Sequence, residues 1–274
     1  VDMGSEKEKQ AGLLEALANP DCEWFYRAST SNYKVIPGTP IAYWASKSVL
    51  DAFANFSKME AICVPKTGMR TGDNERFLRY WFEVSDSLFG KGMPNASIAM
   101  KSGRKWFPYN KGGNYRMWYG NNELLVNWKN DGEAIKDNTK KAYPQLGDNL
   151  SWKITNERDY FRPGITWTAL TSGVNSFRWS PAGSIFDSNK GPMMFPDKRI
   201  QYSLLGLLSS SVTAAILGIL NPSLSLQNSD IGKMPVNISK NEITDAIVRD
   251  CIDLAKYDWD SFEVSWDFER HPLI

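Results

Sequence analysis

The chain predicts an α+β fold of short-stranded mixed sheets packed with helices, helical at both ends. Three observations point there. Brief apolar or aromatic runs recur between Leu124 and Asp187, each bounded by Gly, Pro, Asn or Asp. Both ends of the chain instead carry segments at helical spacing. The 274 residues, 42% of them hydrophobic, suffice to fill a real core.

The elements follow in order. Residues 6–18 read as a charged helix that ends at Asn19-Pro20, because proline has no N–H to continue the ladder. Residues 37–40 form a turn, followed by a brief strand over 41–44 and a helix from Ser46, a natural N-cap, to Phe56. A short strand is expected over 62–65. The glycine-bracketed loop 68–74 then leads into 76–84, whose aromatics favour a strand. Gly112-Gly113 lies between two aromatic runs and predicts a hairpin with Tyr109 opposite Arg116 and Phe107 opposite Trp118. One face of that hairpin would hold Phe107, Tyr109, Lys111, Asn114, Arg116 and Trp118, either as a nucleic-acid surface or as a structural cation–π ladder. A strand over 124–128, a turn at Asn130-Asp131-Gly132 and a helix over 133–141 come next. Short strands follow over 152–155, 165–169, 177–179 and 184–187. Asp197 is placed to cap a helix over 198–219 that Asn221-Pro222 ends, and Ile243, Ile247, Cys251 and Leu254 mark a last helix over 243–256.

Charge is unevenly distributed. The net formal charge is +1, yet Ser87 to Asn122 carries six cations (Lys91, Lys101, Arg104, Lys105, Lys111, Arg116) and no acid. Aromatics interleave with them, a combination that suits phosphates and bases or else a solvated face over core aromatics. Residues 241–274 hold nine acids against Arg249, Lys256 and Arg270, so the two regions are not expected to share one DNA surface.

Much chemistry is excluded. His271 is the only histidine, which removes a His-based triad or a multi-histidine metal site. Cys22, Cys63 and Cys251 are scattered without C-x-x-C pairing, so no disulfide framework or zinc site is expected. The first ten residues are too polar for a secretory leader, and a cytoplasmic location fits. Tyr202 to Leu220 is uncharged over nineteen residues, but its central serines favour a buried helix over a membrane span. There is no Walker A loop, and neither Asn19-Pro20 nor Asn221-Pro222 has the second proline and aromatic with which amino-methyltransferases grip a flipped base. No catalytic residue and no metal ligand is assigned.

Six stretches carry a resemblance: PGTPIAYW (37–44), GMRTGDNERF (68–77), KWFPYNKGGNYRMWY (105–119), WKNDG (128–132), YFRPGITW (160–167) and DWDSFEVSWDFERHP (258–272). Together they make the chain, from about residue 25 onward, resemble the PglX family, the adenine-specific DNA methyltransferases of bacteriophage-exclusion (BREX) systems. Residues 204–235, with LLSS at 207–210 and DIGKMPV at 230–236, look like the tail of target-recognition domains in related restriction-modification enzymes. The resemblance implies a helical remnant over 1–36, a DNA target-recognition domain over 37–236 and the start of a C-terminal helical region over 237–274. It also implies SAM as cofactor of the intact enzyme and none in this segment, with double-stranded DNA and other defence-system subunits as partners.

On that reading Lys101, Arg104, Lys105, Lys111 and Arg116 hold phosphates. Arg70, Asn74, Arg76, Arg162, Thr166, Thr168 and Arg178 are candidates for base or backbone contacts, each with a structural salt bridge or turn role as the alternative. Two rival readings stand beside it. The acidic tail with Trp259 and Trp266 would suit a protein-interaction module, and residues 130–136 faintly suggest a nuclease, which metal-dependent cleavage would reveal.

Overall fold

The computed structural model describes residues 4–27, 29, 34–170 and 174–274. The chain divides into two compact units, Val1–Phe56 and Ser57–Ile274. In the first, α1 (Glu6–Ala18) opens on a capping box in which Ser5 and Glu8 satisfy each other's backbone N–H. α2 (Lys47–Asn55) is capped by Ser46, whose Oγ accepts from the Val49 N–H at 3.4 Å. The strand expected over 41–44 is absent. Ala42 N–H donates to Pro40 O and Ala45 N–H to Ala42 O, so these groups close locally as turns.

The second unit is α+β, and with it the described residues hold ten α-helices and three small sheets. β1 (Ser57–Lys58) pairs antiparallel with β9 (Pro235–Val236). The largest sheet runs β2 (Leu78–Tyr80), β4 (Leu124–Asn127), β3 (Trp106–Asn110), β7 (Ile185–Phe186), with only the last pair parallel. The third places β5 (Gly164–Trp167) between β6 (Phe177–Ser180) and β8 (Met193–Met194). All five residues of β3 are buried, and Phe107, Tyr109, Val126, Trp128, Tyr160, Phe161 and Phe186 form the core around it. Edge-to-face contacts such as Phe107–Phe161 at 5.5 Å and Trp128–Tyr160 at 5.3 Å order these rings.

The helices of this unit are α3 (Met59–Ile62), α4 (Asn74–Phe77), α5 (Ala96–Lys101), α6 (Lys129–Ala142), α7 (Gln201–Leu208), α8 (Ser211–Leu220), α9 (Asn228–Lys233) and α10 (Glu242–Asp260). The expected strand over 62–65 does not form, since Ile62 ends α3 and 63–65 carry no regular element, and that over 76–84 shrinks to β2 between α4 and a 3-10 turn. Residues 152–155 are turns with a single bridge, Ile154 to Met69.

Two further expectations are corrected. The Gly112-Gly113 hairpin does not form: β3 pairs with β4 and β7, opposing Phe107 to Val126 and Tyr109 to Ile185. Positive φ at Trp118 and Asn121 breaks the segment that would have been its partner, which crosses instead to β6 through Trp118 N–H to Phe177 O and Trp179 N–H to Trp118 O. The ladder face is therefore dispersed, with Phe107 and Tyr109 inside the core. The helix over 198–219 is two helices bent by 66° at Ser209-Ser210. Ser210 Oγ accepts from the Thr213 N–H and so caps the start of a new helix. Asp197 does not cap the first of them; its Oδ1 takes the Arg199 N–H at 2.8 Å.

Among the described residues no single helix is long and apolar enough to cross a membrane; α7 and α8 pass only as that bent pair. Their apolar side chains, Leu204, Leu205, Leu208, Ile216 and Leu217, are buried in the protein.

Candidate nucleic-acid interface

β3 separates the basic stretch into two ends. Arg104 and Lys105 precede the strand and Lys111 follows it, so at about 3.3 Å per residue Lys105 and Lys111 lie roughly 20 Å apart. At the first end Lys101 is exposed in the last turn of α5, Arg104 donates from Nη1 to Asp86 O at 2.6 Å, and Lys105 Nζ lies 5.2 Å over the Trp106 ring. Among the described residues none of the three has a carboxylate partner.

The second end is built around Asp187. Its Oδ1 accepts the backbone N–H of Asn189 at 2.7 Å and of Lys190 at 2.8 Å, and its Oδ2 accepts Tyr109 O–H at 3.0 Å and Lys111 Nζ at 3.3 Å. Burial holds the Tyr109 phenol well above its ordinary pKa, and the Asp187 charge adds to that. Lys111 also donates to Asn74 Oδ1 at 3.0 Å, which in turn accepts from Thr71 Oγ1. Arg70 is exposed and donates to Ser188 Oγ and to Asn189 Oδ1, both at 3.1 Å. Arg76 is exposed on α4, 4.9 Å over Phe77, with a 3.4 Å hydrogen bond to Asn138.

The remaining candidates sit elsewhere. Arg116 pairs with Asp258 at 2.7 Å and lies 5.0 Å over Trp259, and Lys91 pairs with Asp267, so the acidic tail neutralises two cations of the basic stretch. Arg162 is bound to the buried carboxylate of Asp159 and stacks 5.0 Å over Phe195. Thr166 and Thr168 are buried and donate to Pro192 O and Gly113 O. Arg178, opposite Thr166 in the β5–β6 register, is 2% exposed; its guanidinium bonds Thr168 Oγ1, Ser176 Oγ and Arg116 O, and Nε has no partner. Burial alone lowers its pKa to about 10.

The residues missed in the sequence are Ser188, Asn189 and Lys190. They follow Asp187 in a loop over 187–192 that borders three cavities of about 410, 280 and 440 Å³. An Asp two and three residues ahead of N–H groups that its side chain accepts was the local signal available. Another cavity, about 650 Å³, lies against the tail, where Asp260, Asp267 and Glu269 outnumber Lys256 and Arg270 and make its wall unsuited to a polyanion.

No family model matches the chain. Over its full length it is 35% identical to "Adenine-specific methyltransferase PglX" of Lacticaseibacillus casei (strain Zhang), of which it covers 22%. The chain is homologous to one segment of PglX. It is likewise 32% identical, over 98% of its length, to "Adenine-specific methyltransferase BrxX" of Escherichia coli O9:H4 (strain HS), covering 20% of it. The chain thus spans about a fifth of the length of these curated relatives. The six motifs distribute over both units of this PglX-related segment: 37–44 falls in the first, while 105–119 supplies β3 and the crossing to β6, and 160–167 supplies β5.

Proposed function

We propose that this chain is a DNA-recognition segment of an adenine-specific methyltransferase, one that positions duplex DNA for methyl transfer carried out with SAM by another part of the larger protein. The observation that carries the reading is that five of the cations expected from the sequence to bind DNA, Arg70, Arg76, Lys101, Arg104 and Lys105, have no carboxylate partner among the described residues, in a homologue of two proteins named as adenine-specific methyltransferases. Their charge is available to phosphates, whereas that of Lys91, Arg116 and Arg162 is committed inside the protein. Target recognition over residues 37–236 and a cytoplasmic site of action belong to the same reading.

The test is fluorescence anisotropy of the full chain with a labelled mixed-sequence duplex at several salt concentrations. The expected result is an affinity that falls steeply with salt and is unaffected by SAM, because about 0.9 counterions leave per neutralised phosphate. Absence of binding at the lowest salt, or calorimetric binding of SAM by this chain, overturns it.

The second reading, docking onto a protein partner, is favoured by one observation. α10 exposes Ile243, Ile247, Leu254 and Tyr257, an apolar stripe flanked by acids. Loss of complex formation on replacing this stripe by serine, with DNA affinity unchanged, would assign that face to protein contact.

A further inference from the structure

The three cavities around the 187–192 loop share their walls. Lys111 and Lys190 line both the first and the second, while Ser188 and Asn189 line both the second and the third. They therefore adjoin one another around the loop and together make one grooved face. Its walls combine hydroxyls, carboxamides and cations with apolar side chains such as Leu124, Leu170 and Leu226, and among the described residues only two acids border it, Glu123 and Asp187. The Asp187 carboxylate is spent internally on four donors. Arg70 and Lys190 are left exposed on this groove with no carboxylate partner among the described residues.

The loop is also held in one conformation. Asp187 N–H donates to Asn110 O, Ser188 N–H to Met69 O, and Lys190 O accepts from Ala169 N–H. A Cβ on Gly191 would lie 2.4 Å from Asn110 O, and one on Gly112, at φ +76°, 2.5 Å from Lys190 O. The backbone on both sides of Lys190 is thus locked against β3. Side chains presented from so fixed a loop lose little conformational entropy when they bind. The cluster at the other end of β3, Lys101, Arg104 and Lys105, borders none of these cavities.

We propose that this groove is where the segment seats the DNA, with Arg70 and Lys190 on backbone phosphates, Asn189 held by Arg70 toward the base edges, and Asp187 as the positioning residue that fixes the loop. This deepens the DNA-recognition reading and rests on it. Arginine, lysine and carboxamide side chains on a rigid face are the set that phosphate positioning and base-edge contact require.

The experiment compares the full chain with the double variant Arg70→Ala, Lys190→Ala and with Lys129→Ala, Lys141→Ala, two exposed cations that border none of these cavities, using the same mixed-sequence duplex over roughly 50 to 200 mM salt. The groove pair is expected to flatten the log-affinity against log-salt slope by about two units, while the other pair leaves it near the wild-type value. If wild type binds and the groove pair keeps its slope, the groove assignment fails and the DNA reading survives. If wild type does not bind, both fail. Arg70→Gln with Lys190→Gln, which retains side-chain length and polarity, is expected to reproduce the flattening. A melting temperature unchanged from wild type keeps an unfolded variant from being mistaken for a loss of contact.

Discussion

Arg178 shows at the scale of one residue how burial changes what a side chain can do. Its charge sits among neutral partners, with Nε unsatisfied, and desolvation brings its pKa down to about 10. A buried charge without a counterion costs stability, whereas an unbranched apolar side chain fills much of the same space. Arg178→Met is therefore expected to leave the stability to urea within about 1 kcal/mol of wild type or to raise it. A loss of several kcal/mol would show that the guanidinium hydrogen bonds to Thr168, Ser176 and Arg116 O outweigh its desolvation. The sequence places Arg178 beside a strand end, which suits a projecting side chain. That β5 and β6 are buried nearly throughout depends on the helices and β8 packed around them, and no local pattern near Arg178 reports it.

At the scale of elements, α10 illustrates what periodicity reveals and what it leaves open. Ile243, Ile247, Cys251 and Leu254 announce a helix, and a helix is present over Glu242–Asp260. Yet the stripe turned inward is another one, Val248, Ile252 and Trp259, with the buried Asp245 accepting a hydrogen bond from Ser203 on α7 at 2.5 Å. Two apolar stripes on one helix are indistinguishable by spacing alone; the neighbour decides which is covered. Ile252→Ala should thus cost about 2–4 kcal/mol, while Leu254→Ser, at a position 70% exposed, should stay within about 0.5 kcal/mol. Urea titrations of the two variants check the contrast, and a large effect at Leu254 would mean that this face is covered in solution. The absent hairpin has the same cause. A glycine pair between aromatic runs marks a change of direction, but whether the strand pairs with its sequence neighbour or with β4 and β7 is settled by non-local packing.

At the scale of the whole molecule, two distant segments of opposite charge are partly paired with each other. The basic stretch and the acidic tail were legible as opposite charges, but their junction was not, because Lys91–Asp267 and Arg116–Asp258 join residues far apart in sequence. Asp267 also faces Lys256, which binds Asp260. Burial pushes the Asp267 carboxyl up, but Lys91 and Lys256 outweigh it and hold it below the usual carboxylate range. For Lys256, burial pulls down and the hydrogen bond with Asp260 and the nearby charges prevail, leaving it above the usual lysine value. The lowered Asp267 contributes stability that is fully present above its unfolded pKa of about 3.9 and is lost as pH falls through the lower folded value, because between the two the unfolded chain binds more protons. Lys256 contributes below about 10.4 and loses its share as pH rises through its higher folded value. Between these limits the tail's ion pairs are fully formed. They are half-exposed and worth at most about 1 kcal/mol, so Asp267→Asn should lower the melting temperature by about 2 °C at neutral pH. That gap should narrow as pH falls below about 3.9 and close once pH has passed below the lowered folded value, where wild-type Asp267 is itself protonated. Melting curves of both proteins across this range check it. A gap that persists in acid would mean that the Asp267 side chain acts through packing rather than through charge.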